Sequence, residues 1–95
     1  MKIGKIIGSV WATKKDESLN GYKLLIAKPI NVEKSNEEKS PIVVADTIGA
    51  GVGETVILCC GSGARQATPN NGVPVDATVV AIVDDLEIGG VKKAV

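Results

Sequence analysis

Apolar residues along this chain gather in short runs separated by polar, glycine-rich and proline-rich breaks, with no convincing helical period. Ile3 to Thr13 places Ile6, Val10 and Ala12 on one face of an extended strand and Ile3, Ile7 and Trp11 on the other. Tyr22 to Ile30 holds Leu24, Leu25, Ile26 and Ala27 in succession, and Pro41 to Ala45 is short and β-branched. Glu54 to Cys60 and Ala77 to Ile88 complete the set, rich in Val and Ile. Such side chains suit a pleated, half-buried surface, so the pattern predicts five strands.

The separators say where the chain turns. Asn20-Gly21 is a hairpin signal between the first two runs, because both residue types tolerate positive φ. Glu33 to Ser40 is nearly all polar and reads as a solvated loop; Thr68 to Pro74 is a second breaker-rich loop. Only Ser62 to Ala67 suits a helical turn, with Ser62 placed as its N-cap. No internal repeat or boundary divides the chain. The reading is all-β: a single domain over residues 1–95, folded as a small five-stranded antiparallel β-barrel with one short helical turn.

An antiparallel sheet usually turns one face to the core and one to water. Here Ile3, Ile7 and Trp11 oppose Ile6 and Val10, while Val56, Leu58 and Cys60 oppose Ile57 and Cys59. Val79, Ala81 and Val83 likewise oppose Val80 and Ile82. A chain of 95 residues cannot cover both faces of its own barrel. The simplest cover is another copy of the same chain, and head-to-tail packing closes into a ring when the rotation fits.

Composition removes the alternatives. Eleven basic and eleven acidic residues cancel, which argues against a module that neutralises phosphates. Phe is missing and Trp11 and Tyr22 are the only aromatics, so a base-stacking platform is not expected and nucleic acid is not a predicted partner. Cys59 and Cys60 are adjacent and point to opposite strand faces, which excludes a disulfide framework and fits a reducing compartment. Beyond Met-Lys-Ile-Gly-Lys, only Ile6 to Ala12 is free of charge, with no small-residue cleavage site after it. No run approaches the roughly 20 apolar residues of a membrane span, so a soluble cytoplasmic protein without a membrane partner is expected.

Candidate chemistry is sparse. Gly49-x-Gly51-x-Gly53 is followed by a strand, whereas a dinucleotide loop needs a helix there; a tight turn or bulge explains it better. Gly61-Ser62-Gly63-Ala64-Arg65 lacks the Gly-Lys-Ser/Thr of a phosphate loop. The cysteines sit in an apolar run with no histidine anywhere to act as a base, so they read as buried structural thiols. Asp84 and Asp85 read as the point where a strand leaves the core, and Trp11 as a packing or interface residue. Arg65 stands alone among ten lysines, and its planar fork suits a carboxylate or carbonyl across an interface; a plain surface position is the alternative. No catalytic, cofactor-binding or metal-binding constellation emerges, and no enzyme is expected.

The most informative stretch is Asp46-Thr47-Ile48-Gly49-Ala50-Gly51-Val52-Gly53-Glu54, the strand after it, and Gly61-Ser62-Gly63-Ala64-Arg65-Gln66-Ala67. With Pro74-Val75-Asp76 leading into Val80 to Asp84, Leu24-Leu25, and the strand end at Gly8 to Thr13, it resembles the pentameric vertex proteins of bacterial microcompartments. That family includes the carboxysome vertex protein and its ethanolamine-utilisation counterpart. The resemblance spans essentially the whole chain. It implies an oligonucleotide-binding-like (OB-like) barrel reused for assembly as a homo-pentamer, with no enzymatic activity and no cofactor. The pentamer would cap corners of a polyhedral shell in the cytoplasm whose other tiles are hexameric shell proteins. It further implies that Ile48, Gly49, Ala50, Gly51 and Gly53 form an axial turn or subunit interface, with Ser62, Arg65 and Gln66 near a neighbouring subunit. Two competing readings are a co-chaperonin-like ring of barrels and an OB-type nucleic-acid-binding domain. The first lacks a hydrophobic tripeptide in Glu33 to Ser40; charge and the dearth of aromatics oppose the second.

Overall fold

A computed structural model describes residues 1–12, 17–19, 21–30, 40–61 and 76–93. Its barrel strands are β1 (Lys2–Ser9), β2 (Lys23–Pro29), β3 (Ile42–Asp46), β4 (Thr55–Cys60) and β5 (Ala77–Ile82). A separate hairpin follows, β6 (Leu86–Ile88) and β7 (Val91–Lys93). The apolar run expected as one strand from Ala77 to Ile88 is thus two, broken at Val83 to Asp85, where the Val83 N–H makes a last bond to the Thr55 carbonyl at 2.8 Å. The described helical turn is a 3₁₀ turn at Glu17–Leu19 between β1 and β2. The turn expected at Ser62 to Ala67 lies outside the described residues.

The barrel closes in the order β1-β2-β3-β5-β4 and back to β1. Four seams are antiparallel, and the fifth, β3 with β5, is parallel, with Ala45 opposite Thr78 and Asp46 opposite Val79. This corrects the expectation of a wholly antiparallel barrel, and the reason is parity. Strand directions alternating around a closed ring of five cannot all oppose their neighbours, so a seam must be parallel. β1 carries two partners: Lys2 to Lys5 pair with β4, while Gly4 to Ser9 pair with β2 across a register shift between Ile6 and Gly8.

Alternation sorts the side chains. Ile6, Leu25, Ala27, Val44, Val56, Leu58, Ala77 and Val79 fill the barrel, with Ile42, Cys60 and Ile82 packed at its margins. Gly4 is buried, and a Cβ there would lie 3.0 Å from Leu58 Cδ1 and 3.4 Å from the Lys28 carbonyl oxygen. Outside the barrel, Tyr22 and Ala45 are buried with Leu19 against them, so the 3₁₀ turn covers one patch. Elsewhere the outer face stays apolar and open at Ile7, Val43 and Val80. Among the described residues no helix is long and apolar enough to cross a membrane.

Gly4→Val should overpack the barrel and lower stability by about 1–3 kcal/mol. Equilibrium urea unfolding checks this, and a variant as stable as the parent would show that Leu58 moves aside freely.

Candidate assembly site

The segment from Asp46 to Glu54 crosses the barrel end from β3 to β4, and its two acidic residues tie it down. Asp46 ends β3 with only 2% of its surface exposed. Its Oδ1 accepts the Ile48 N–H at 3.0 Å, and its Oδ2 accepts those of Gly49 at 3.2 Å and Ala50 at 2.8 Å. A buried carboxylate would be costly alone, but three backbone donors directed at it replace the lost water. Glu54 does the same at the far end, its Oε1 accepting the Gly51 N–H at 2.7 Å. The Glu54 N–H then donates to the Gly51 carbonyl at 3.1 Å.

Glycine makes this folding possible. Gly49 and Gly53 hold φ at 93° and 92°, a region that L side chains rarely adopt. The Gly53 N–H donates to the Ile6 carbonyl at 2.8 Å and the Ile6 N–H to the Glu54 carbonyl at 3.0 Å, so the turn is bonded onto β1 beside its register shift. From the neighbouring strand β2, where it stands opposite Asp46, Lys23 Nζ donates to the Ala50 carbonyl at 3.3 Å.

Side chains along the turn alternate in direction. Ala50 is fully buried and belongs to the core, so it plugs the barrel end. Ile48 and Val52 point out and are exposed, as are Gly49 and Gly53, while Gly51 is half-buried against Glu54. The structure therefore brings Ile48, Gly49 and Gly53 together on one exposed rim, with Gly51 beneath it. It sets Ala50 apart: this residue, expected at an interface or axial turn, faces the chain's own core. Ser62, Arg65 and Gln66 lie outside the described residues. The anchors Asp46, Glu54 and Lys23 were not among the expected site residues. An Asp just ahead of a glycine-rich loop is the signal for the first of them, since Asx side chains bond backbone N–H groups a few residues on.

A second exposed apolar feature lies at the end of β1. Ser9, Val10, Trp11, Ala12, Tyr22, Lys23 and Leu24 line a cleft of about 160 Å³. Trp11 is 94% exposed, so it packs against little of its own chain. Indole rings left in water in this way are common where a partner covers them. Cys59 and Cys60 are free thiols, half-buried and not the fully buried thiols expected. Asp84 and Asp85 are exposed just past β5, where the strand leaves the core. Among the described residues no group of His, Cys, Asp and Glu is placed to hold a metal ion.

A closed five-strand barrel with a glycine turn bonded across its end, and apolar residues left open outside, defines a small assembly module. The chain belongs to the family described as "Ethanolamine utilisation protein EutN/carboxysome", whose model matches residues 1–84. It is 51% identical over 87 residues to the bacterial microcompartment shell vertex protein GrpN of Rhodospirillum rubrum (strain F11), covering 92% of this chain and 97% of that protein. The solved GrpN pentameric microcompartment shell protein from Rhodospirillum rubrum matches with a TM-score of 0.78 and 45% identity, over 93% of this chain and 98% of that one. CcmL of Nostoc sp. PCC 7120 matches with a TM-score of 0.86 and 42% identity, over 97% and 96% of the two chains.

Removing the Asp46 carboxylate leaves three backbone donors unpaired, one of them buried. Asp46→Ala should cost about 2–3 kcal/mol. Asp46→Asn should fall between that variant and the parent, because its amide offers one acceptor oxygen where the carboxylate has two. Thermal unfolding of the three proteins gives the order. Equal stability of parent and Asp46→Ala would mean that water satisfies the turn as well as the carboxylate does.

Proposed function

We propose that this chain is a vertex subunit of a bacterial microcompartment shell: five copies form a ring that closes a corner among hexameric tiles. The observation that carries this reading is the near full-length likeness to a solved pentameric shell protein. The uncovered apolar outside supports it, since Ile7, Val43, Val80 and Trp11 are costly to leave in water and side-by-side packing would bury them. The whole chain acts as one vertex domain in the shell of a cytoplasmic compartment, without cofactor, membrane or nucleic acid. Its action is geometric and not catalytic. A flat sheet of six-fold tiles cannot close, and a five-fold piece supplies the curvature. In this ring the rim of Ile48, Gly49, Gly51 and Gly53 lies at the axis or a subunit boundary, and Ser62, Arg65 and Gln66 face a neighbouring subunit.

Native mass spectrometry of the purified protein should give a pentamer at micromolar concentration, and deleting its gene should leave shells elongated or leaky. A monodisperse monomer, or closed shells in cells with no second copy of the gene, would end the vertex reading. A heptamer would favour the co-chaperonin-like ring.

For Arg65, replacement by Ala should weaken the ring by roughly 1–3 kcal/mol, the range for a charge-assisted hydrogen bond. Dissociation at the parent's concentration would make Arg65 an ordinary surface charge.

A further inference from the structure

One peptide group in the glycine turn stands between two opposite charges. The Ala50 carbonyl accepts from Lys23 Nζ at 3.3 Å, and the Gly51 N–H, in the same peptide plane, donates to Glu54 Oε1 at 2.7 Å. Lys23 comes from β2, where it stands opposite Asp46, and Glu54 lies just ahead of β4. The two side chains make no ion pair with each other, so their charges meet only through the peptide. A trans peptide holds its C=O and N–H on opposite sides, with a dipole of about 3.5 D along them. The cation sits at the negative end of that dipole and the anion at the positive end, so each contact strengthens the other.

This plane is also free to turn over. Reversing a peptide plane takes opposite changes in ψ of the residue before it and φ of the residue after it, as between type I and type II turns. Here the residue after it is Gly51, which, unlike Gly49 and Gly53, does not hold a positive φ. Reversal would carry its φ toward that range, which glycine enters at little cost. Glycine is needed at 51 for a second reason, because a Cβ there would lie 3.3 Å from Glu54 Oε1. On either side the chain is already anchored: Ala50 is seated in the core with its N–H on Asp46, and the Gly51 carbonyl takes the Glu54 N–H. Reversal therefore breaks the Lys23 and Glu54 bonds together.

We propose that Lys23 and Glu54 form a single lock on the Ala50–Gly51 peptide, which selects one of two orientations of the turn between the exposed Ile48–Gly49 and Val52–Gly53 edges. The lock acts within one chain and does not depend on the ring. Glu54 is its inner half, half-buried and bonded to Gly51 through both its N–H and its carboxylate. Lys23 is exposed and is the outer half, so loss of its charge is what opens the lock. A partner meets this rim in the orientation that Lys23 selects.

The test is made by nuclear magnetic resonance on the whole chain, with Lys23→Met, Glu54→Gln and the double variant. Methionine keeps the stem without the charge, and glutamine keeps an acceptor oxygen without the charge. Each single change should speed exchange of the Gly51 amide by about tenfold or more, while the buried barrel residues Leu25 and Val44 keep their protection. The effect of Lys23→Met is the decisive one, since that side chain bonds the far side of the peptide. The double variant should exchange no faster than the faster single variant, because either change opens the same lock. Lys23→Arg should restore slow exchange. A second readout needs no change at Lys23: its ammonium should give a resolved nitrogen signal in the parent that is lost in Glu54→Gln. A Gly51 amide indifferent to Lys23→Met, with a Lys23 signal indifferent to Glu54→Gln, would overturn the lock. Effects that multiply in the double variant would also overturn it, leaving two independent anchors. Protection lost at Leu25 and Val44 alongside Gly51 would do the same, making Lys23 a general support of the barrel. All these outcomes leave the ring to be judged by native mass.

Discussion

Everything at one end of this molecule hangs on the buried Asp46 carboxylate. The chain must leave β3, cross the barrel mouth and enter β4 on the far side of β5, a path with no regular partner for its backbone groups. Asp46 supplies three of the missing acceptor contacts, and Glu54 a fourth from the opposite end. Once these are made, Ala50 drops into the core and Ile48 and Val52 are forced outward. The inside of the turn is thus core and its outside is surface that a partner can read. One anchoring group sets both.

The barrel and its outer face follow from a related constraint. Closure with five strands leaves little free barrel edge, so adding barrel strand to barrel strand is a poor way for copies of this domain to join. Outward side chains and turns are what remain exposed for a partner to meet. That accounts for the unusual distribution of hydrophobic residues. The interior needs only small and medium aliphatics, while the largest apolar group, Trp11, stands outside with Ile7, Val43 and Val80.

Much of this was legible in the chain itself. Alternating Val, Leu and Ile positions marked the five barrel strands and most of the core, because period-two burial leaves a direct trace in sequence. The doubling of apolar faces was equally plain at Ile6 and Ile7, and again at Val79 and Val80. Less visible was the break after Ile82, since Val83 and Leu86 carry the apolar run past the true strand end. The hairpin turning at Gly89-Gly90 was not read, because so few residues flank it that alternation had no room to show. The inward plug at Ala50 could not be read, because small residues look alike whether they pack inside or approach a neighbour. The Lys23 to Ala50 bond joins residues 27 apart, and such long-range pairing has no local signature.

The parallel seam has a consequence for how such a subunit comes to exist in a cell. Ala45 and Asp46 meet Thr78 and Val79, so the barrel cannot shut until β5, which ends at residue 82 of 95, has left the ribosome. Long-range pairing of this kind is slow, because chain entropy is lost before the contact rewards it. Until then β3 and β4 each lack their β5 neighbour, and the apolar faces that later serve assembly are not yet arranged on a closed surface. The surface on which a partner could dock therefore exists only once β5 is in place.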